Sequence, residues 1–282
     1  MIEVVRPGPL ATVQDLGRPG RAHLGVPCSG AADGRAFRLA NRLVGNPEGA
    51  AAVEFTLGGA ALRFHRHAWI AVTGAPVPLR INGRAYGTHA PVHVPDGALV
   101  EFGTPPSGLR SYLAVRGGVA VDEVLGSRST DLLSGLGPSP LSPGDVIPLG
   151  PATGLGDICV DAAPPPPLHE TPVLRIQPGP RHDWFTEDAL ATLTSTLYEV
   201  SQDSNRVGVR LEGPPLARAR DGELGSEGMV TGSLQVPPSG LPIIFLTDHP
   251  TTGGYPVVAV LASSAICDAA QLRPGQRVRF RL

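Results

Sequence analysis

The chain has 282 residues, a formal charge of −2 from 23 basic and 25 acidic side chains, and only 17% charged residues. A near-neutral surface excludes nucleic acid and anionic membranes as primary partners, because both require a basic face. Every one of the 23 basic residues is arginine, so the chain offers no P-loop lysine, no Schiff-base amine and no attachment point for biotin.

No apolar stretch approaches the roughly 20 residues of a bilayer span. The opening Met1-Ile2-Glu3-Val4-Val5-Arg6 lacks the basic region and apolar core of a leader, so a cytoplasmic protein is expected. Cys28, Cys159 and Cys267 are far apart, form no C-x-x-C pair and read as reduced thiols. The 36 glycines and 31 prolines punctuate short apolar runs, the pattern of many strands joined by tight turns.

Strands are expected at 3–5, 53–57, 69–72, 77–81, 99–102 and 112–115 in the first half. Residues 12–20 put Gln14, Asp15 and Arg18 into a glycine-broken loop, either a ligand-facing loop or a strand-to-turn connection with an Asp–Arg pair. Residues 25–33 lead into the clearest helix: Ala36, Phe37, Ala40, Leu43 and Val44 share one face, Asp33 stands at its start, and Gly45-Asn46-Pro47 stops it. Ser29 and Asp33 are candidates for an anion at the helix entrance and equally for helix caps. Residues 126–131 gather Ser127, Arg128, Ser129, Thr130 and Asp131 into a second possible anion cradle, or a cap with an exposed arginine. His65 and His67, and His89 and His93, lack a placeable third ligand, so no metal is expected.

The proline run Pro164-Pro165-Pro166-Pro167 marks an extended connector, dividing the chain into a domain at 1–150, a connector at 151–172 and a domain at 173–282. The second domain repeats the strand-rich recipe at 173–177, 197–200, 207–211, 243–246 and 278–280, with one short helix after Thr186. A weak echo between 54–62 and 209–216 suggests a duplicated barrel. The densest polar constellation follows: Gln235 lies before a Pro-Pro-Ser-Gly turn, and an apolar strand then leads to Asp248, Thr251, Thr252, Gly253, Gly254 and Tyr255. There Asp248 is suited to orient a nucleophile or a metal, while Thr251, Thr252 and Tyr255 are suited to donate to a developing oxyanion. The rival reading is a structural turn with an Asx cap.

These segments together resemble the allophanate-hydrolase-subunit-2, or biotin-dependent carboxyltransferase, family. The most specific pieces are 13–20 (Val-Gln-Asp-Leu-Gly-Arg-Pro-Gly), 40–46 (Ala-Asn-Arg-Leu-Val-Gly-Asn), 112–118 (Tyr-Leu-Ala-Val-Arg-Gly-Gly), 126–131 and 251–256 (Thr-Thr-Gly-Gly-Tyr-Pro). The resemblance implies a mainly β fold of two cyclophilin-like β-barrel units with minor helices. It also implies work beside a B-type (KipI/PxpB-like) and an A-type (LamB/YcsF-like) subunit on a small amide substrate. Two activities occur among such relatives: ATP-dependent hydrolysis of 5-oxoproline to glutamate, and carboxyl transfer from biotin to a urea-like amide. Others act without chemistry by sequestering a kinase-inhibitor-like B-type partner. ATP is then expected mainly on another subunit, biotin only on another chain, and self-association when the B-type partner is absent. By the same resemblance Asp248, Thr251, Thr252 and Tyr255 form a catalytic set. Gln235, Arg206, Gln14, Asp15, Ser29, Asp33, Gly253 and Gly254 form a substrate-binding set, with Arg206 facing a carboxylate. The chain departs from its relatives at His249-Pro250, where Arg-Gln is common, and at Asn205, where aspartate is usual.

Overall fold

Alternating β-branched and aromatic residues between glycine and proline breaks form strands throughout, and they assemble into two separate cores. The computed structural model describes residues 1–220, 222 and 224–282. The chain divides into a first unit of Met1–Arg18, Asp33–Asp131 and Gly135–Pro167, and a second of Pro19–Ala32, Leu132–Ser134 and Leu168–Leu282. The main changeover falls at the end of the proline run, between Pro167 and Leu168. The excursions at 19–32 and 132–134 are not part of any sequence-contiguous division.

In the first unit, the strands Val146–Ile147, Ile2–Arg6, Ala61–Phe64, Leu99–Phe102, Leu79–Ile81 and Arg84–Tyr86 form one sheet in that order. The strands Leu10–Gln14, Ala52–Thr56, Arg110–Val115, Ala68–Gly74 and Pro91–Val94 form a second. Apolar side chains of both sheets, among them Val4, Phe64 and Phe102 of the first and Val13, Phe55 and Val72 of the second, make one core. The strand Arg110–Val115 is buried along its whole length because its other face is covered by the helix Gly34–Leu43, whose Phe37 meets Tyr112 edge-on at 6.2 Å between ring centroids. Asp33 caps that helix by accepting from the Ala36 N–H at 3.0 Å.

The second unit closes. The strands Val173–Pro178, Val257–Leu261, Ser233–Gln235, Ile243–Phe245, Gly208–Glu212, Tyr198–Val200 and Arg277–Arg281 form a ring, sealed by parallel pairing of Val173–Pro178 with Arg277–Arg281. Closure leaves no open edge to pair with another chain. Alternate residues such as Leu174, Ile176, Val209, Leu211, Val278 and Phe280 fill its interior. The helix Glu187–Ser195 buries Ala189 and Leu193, and the helix Ser263–Ala269 buries Ala265 and Ala269. The expectation of a barrel in each half is thus met by a closed ring in the second unit. In the first, the strand pairing resolves into two sheets around a shared core. Among the described residues no helix is long and apolar enough to cross a membrane.

Candidate functional site

Three of the residues singled out by sequence, Gln14, Asp15 and Asp33, belong to the first unit. Gln14 is buried, its amide nitrogen donating to Thr12 Oγ1 and the Thr130 carbonyl at 3.0 Å each. The Asp15 carboxylate accepts from Gly17 N and Ser127 Oγ at 2.7 Å, from Arg128 N at 2.6 Å and from Ser129 Oγ at 2.5 Å. Three of these bonds end on Oδ1 and one on Oδ2, and together they tie the 12–20 segment to the 126–131 segment. Arg18 does not pair with it; its Nε donates to the Val124 carbonyl and its Nη2 to that of Ser129. Asp33 is the helix cap already described, and its backbone N–H donates to the Tyr112 hydroxyl at 2.7 Å, which in turn donates to Glu54 at 2.8 Å. Burial, with Glu54 beside it, holds the Tyr112 phenol well above its ordinary pKa, as a protonated donor.

The other nine lie in the second unit, where four donors converge on one buried carboxylate. Asp248 accepts from Arg206 Nε at 2.9 Å and Nη2 at 3.1 Å, from Ser29 Oγ at 2.8 Å and from Leu132 N at 3.2 Å. Arg206 Nη2 also reaches the Gly30 carbonyl at 2.6 Å and Thr247 Oγ1 at 3.2 Å. Both charges are out of water, Arg206 being 1% and Asp248 0% exposed. A pair in this state locks the 29–30 and 132 excursions onto the barrel. In the folded chain Asp248 is thus the shared acceptor of these four bonds, and the Arg206 guanidinium, expected to face a substrate carboxylate, meets Asp248. Ser29 likewise binds Asp248, with its backbone at φ +54°.

Of the remaining residues, Gln235 ends the barrel strand Ser233–Gln235, and Thr251, Thr252, Gly253, Gly254 and Tyr255 form the segment before the strand Val257–Leu261. The short strand Thr252–Gly253 pairs with Glu227–Gly228, and Met229 N donates to the Thr251 carbonyl at 2.9 Å. Gln235 Nε2 donates to the Tyr255 carbonyl at 3.1 Å. A Cβ at Gly253 would stand 2.5 Å from that same nitrogen, so glycine is what lets the Gln235 amide lie across the loop. Thr252, Gly254 and Tyr255 are exposed, and Thr251 and Gly253 are half-buried. Beneath the loop Met229, Phe245 and Val257 make a small apolar floor.

Two groups that the sequence did not single out as functional adjoin this segment. His249 is buried and stacks on Phe245 at 6.0 Å. Its Nδ1 lies 2.7 Å from the Pro250 carbonyl, an acceptor only, which puts the proton on Nδ1 and leaves Nε2 with its lone pair. Burial lowers its pKa against the opposing pull of the Pro250 carbonyl and Asp248, so the ring is neutral near pH 7. The departure from relatives at this position was the one available signal. Arg181 grips Glu227 with Nε and Nη2 and holds its carboxyl below the usual range, fixing the partner strand of the Thr252–Gly253 ribbon. The pair is 46 residues apart and had no sequence signature. Among the described residues no group of three or more His, Cys, Asp or Glu is placed to hold a metal ion.

Two mainly β units, one of them a closed seven-stranded barrel with a polar glycine loop leading into one of its strands, define a barrel-type β protein with a built site. Residues 24–282 match the model of the carboxyltransferase domain, subdomain A and B, and the chain belongs to this family. It is 37% identical to the C-type subunit of Escherichia coli (strain K12) 5-oxoprolinase over 99% of this chain and 90% of that protein. It is 34% identical to the urea amidolyase of Saccharomyces cerevisiae, over 99% of this chain but 16% of that protein. Among solved structures, TTHA0988 matches with a TM-score of 0.91 at 36% identity, covering 100% of this chain and 55% of that one. The K. lactis urea amidolyase matches at 0.93 and 34%, covering 99% of this chain and 18% of that one. The chain therefore spans most of one relative, about half of another and a small part of the amidolyases.

Proposed function

We propose that this chain is the C-type subunit of a cytoplasmic, ATP-dependent 5-oxoprolinase complex that hydrolyses 5-oxoproline to glutamate with a B-type and an A-type subunit. The observation that carries the reading is the 37% identity to the corresponding E. coli 5-oxoprolinase subunit along 90% of that protein's length. The lactam of 5-oxoproline needs donors for the oxyanion formed when its carbonyl is attacked. Thr252 and Tyr255 present exposed hydroxyls at the loop, and the Gln235 amide, held across it, orients the chain that carries them. His249 Nε2, unprotonated near neutral pH, is the base closest in sequence to that loop. Because Arg206 is committed to Asp248, the substrate carboxylate is assigned to a cationic group elsewhere in the complex. ATP is assigned mainly to another subunit, a reading supported by the absence of lysine.

The likeness to urea amidolyases supports a second reading, carboxyl transfer from biotin to a urea-like amide. Without lysine, this chain would receive biotin on a separate carrier. Co-expression with A-type and B-type subunits separates the two. Glutamate release from 5-oxoproline that needs ATP and this chain is the expected result. Full release without this chain would overturn the first reading, and carboxylation of urea that needs this chain when a biotin carboxylase and a biotin-bearing carrier are supplied would establish the second.

A further inference from the structure

On the first unit, lined by none of the candidate site residues, is a cavity of about 350 Å³ walled by Arg66, His67, Ala68, Trp69, Arg116 and Ala152. Its place follows from strand parity. Ile70 and Val72 of the strand Ala68–Gly74 point into the core, whereas Thr73 donates to the Ala36 carbonyl of the covering helix, so Trp69 stands on the helix side of the sheet. No helix covers it there, and the indole is 41% exposed. His93, its cross-strand partner, meets the indole edge-on at 5.4 Å and stacks on His67 at 6.2 Å, which fixes the orientation of the ring.

The cations of this cavity are built in rather than loosely displayed. Arg66 Nη2 donates to the Gly150 carbonyl at 3.1 Å. Arg116 Nη1 donates to Val44 O at 2.8 Å, and its Nη2 to Leu155 O at 3.3 Å and Gly156 O at 2.7 Å. Both arginines thus pin the 150–156 segment, which brings Ala152 over the cavity as a wall. Among the described residues, their hydrogen bonds end on neutral carbonyls and no carboxylate lines the cavity. Two guanidinium charges without a counter-charge, set against an open indole, match a ligand with a flat ring and a negative group. The volume lies at the lower end of small-ligand sites, which limits the ring-bearing part to a single small ring system.

We propose that this cavity is a binding site for a small ring-bearing anion, its ring on Trp69 and its charged group on Arg66 and Arg116. The site belongs to the first unit alone and does not depend on the proposed 5-oxoprolinase activity.

The chain has two tryptophans, so Trp184→Phe leaves Trp69 as the reporter of indole fluorescence. AMP and benzoate serve as probes carrying a ring with a phosphate or a carboxylate. Adenosine carries the ring without charge, and inorganic phosphate the charge without a ring. Saturable quenching is expected with AMP or benzoate, and which of them binds identifies the anionic group. Adenosine and phosphate should bind at least about tenfold more weakly, the worth of one charge-assisted contact. Arg66→Ala should weaken the ring-bearing anion by about the same factor. If Trp184→Phe does not fold, equilibrium dialysis of the unaltered chain against Arg66→Ala and Trp69→Phe gives the same comparison. The proposal is overturned if neither probe binds up to about 10 mM, if adenosine or phosphate binds equally well, or if Arg66→Ala changes nothing.

Discussion

Replacing Asp248 by alanine removes the acceptor shared by Arg206 Nε and Nη2, Ser29 Oγ and Leu132 N. Arg206, 1% exposed, then keeps neutral acceptors such as the Gly30 carbonyl and Thr247 Oγ1 but loses its counter-charge. Breaking a buried ion pair by deleting one partner costs about 3–5 kcal/mol, because the surviving charge stays desolvated and unpaired. Asp248→Ala should therefore lower the urea midpoint of the second unit by the equivalent of about 3 kcal/mol or more, read from Trp184, the tryptophan of that unit. Replacing both partners together, Arg206→Met with Asp248→Leu, should recover part of the loss, since an apolar pair carries no charge to desolvate while Ser29 Oγ and Leu132 N still lack their acceptor. Asp248→Asn separates anchor from chemistry: it keeps the shape but loses the counter-charge, so stability and activity should fall together. A variant that keeps its midpoint within about 0.5 kcal/mol yet loses glutamate release in the assembled complex would refute the anchoring role and restore Asp248 as a chemical group.

Asp15→Ala should destabilise the first unit by about 3 kcal/mol, because four buried or half-buried donors lose their acceptor; unchanged unfolding of the Trp69 signal would contradict this. Thr252→Val and Tyr255→Phe, at exposed positions, should leave the midpoint within about 0.5 kcal/mol while cutting glutamate release in the assembled complex by about tenfold or more; equal activity would remove the hydroxyls from the site. Stability should also fall with acid in a definite direction. Burial lowers the folded pKa of both His89 and His249, so below about pH 6.5 the unfolded chain binds more protons than the folded one. The stabilisation is complete above that pH and is lost as the pH falls towards the folded values, and urea midpoints from pH 7.5 to 5.5, at about 0.5-unit steps, should show it. His89→Asn, which tolerates the φ of +61° at that position, should flatten the slope in the first unit; an unaltered slope would mean that other groups carry it.

The parts of the fold that were legible are those whose signal is local. The helix Gly34–Leu43 was readable because its apolar residues repeat at helical spacing and its cap lies one residue before it. Strands such as Leu99–Phe102 and Ile243–Phe245 were readable as apolar runs between breakers. The strand Leu10–Gln14 was hidden inside what reads as a polar loop. Its Thr12 and Gln14 are buried polar groups, and the Gln14 amide nitrogen donates to Thr12 and to residue 130, more than a hundred positions away. Pro91–Val94, with proline and histidine, and Ser263–Ala269, a seven-residue helix of small side chains, carry too little periodicity to register. The site follows the same division with a more instructive result. Residues 12–20 look, alone, like a polar loop facing a ligand, and 126–131 like a cradle awaiting an anion: the first offers a carboxylate, the second hydroxyls and backbone donors. In the folded chain they are complementary halves, with Ser127, Arg128 and Ser129 closing on Asp15. Arg206 and Asp248, 42 residues apart, cancel in the same way. Polar residues in glycine-rich segments therefore advertise unmet hydrogen-bonding capacity that the fold meets internally. What remains unmet is narrower: Thr252 and Tyr255, exposed on the barrel loop, Nε2 of the buried His249 beside them in sequence, and in the first unit Trp69 with two arginines in a cavity that, among the described residues, no carboxylate lines.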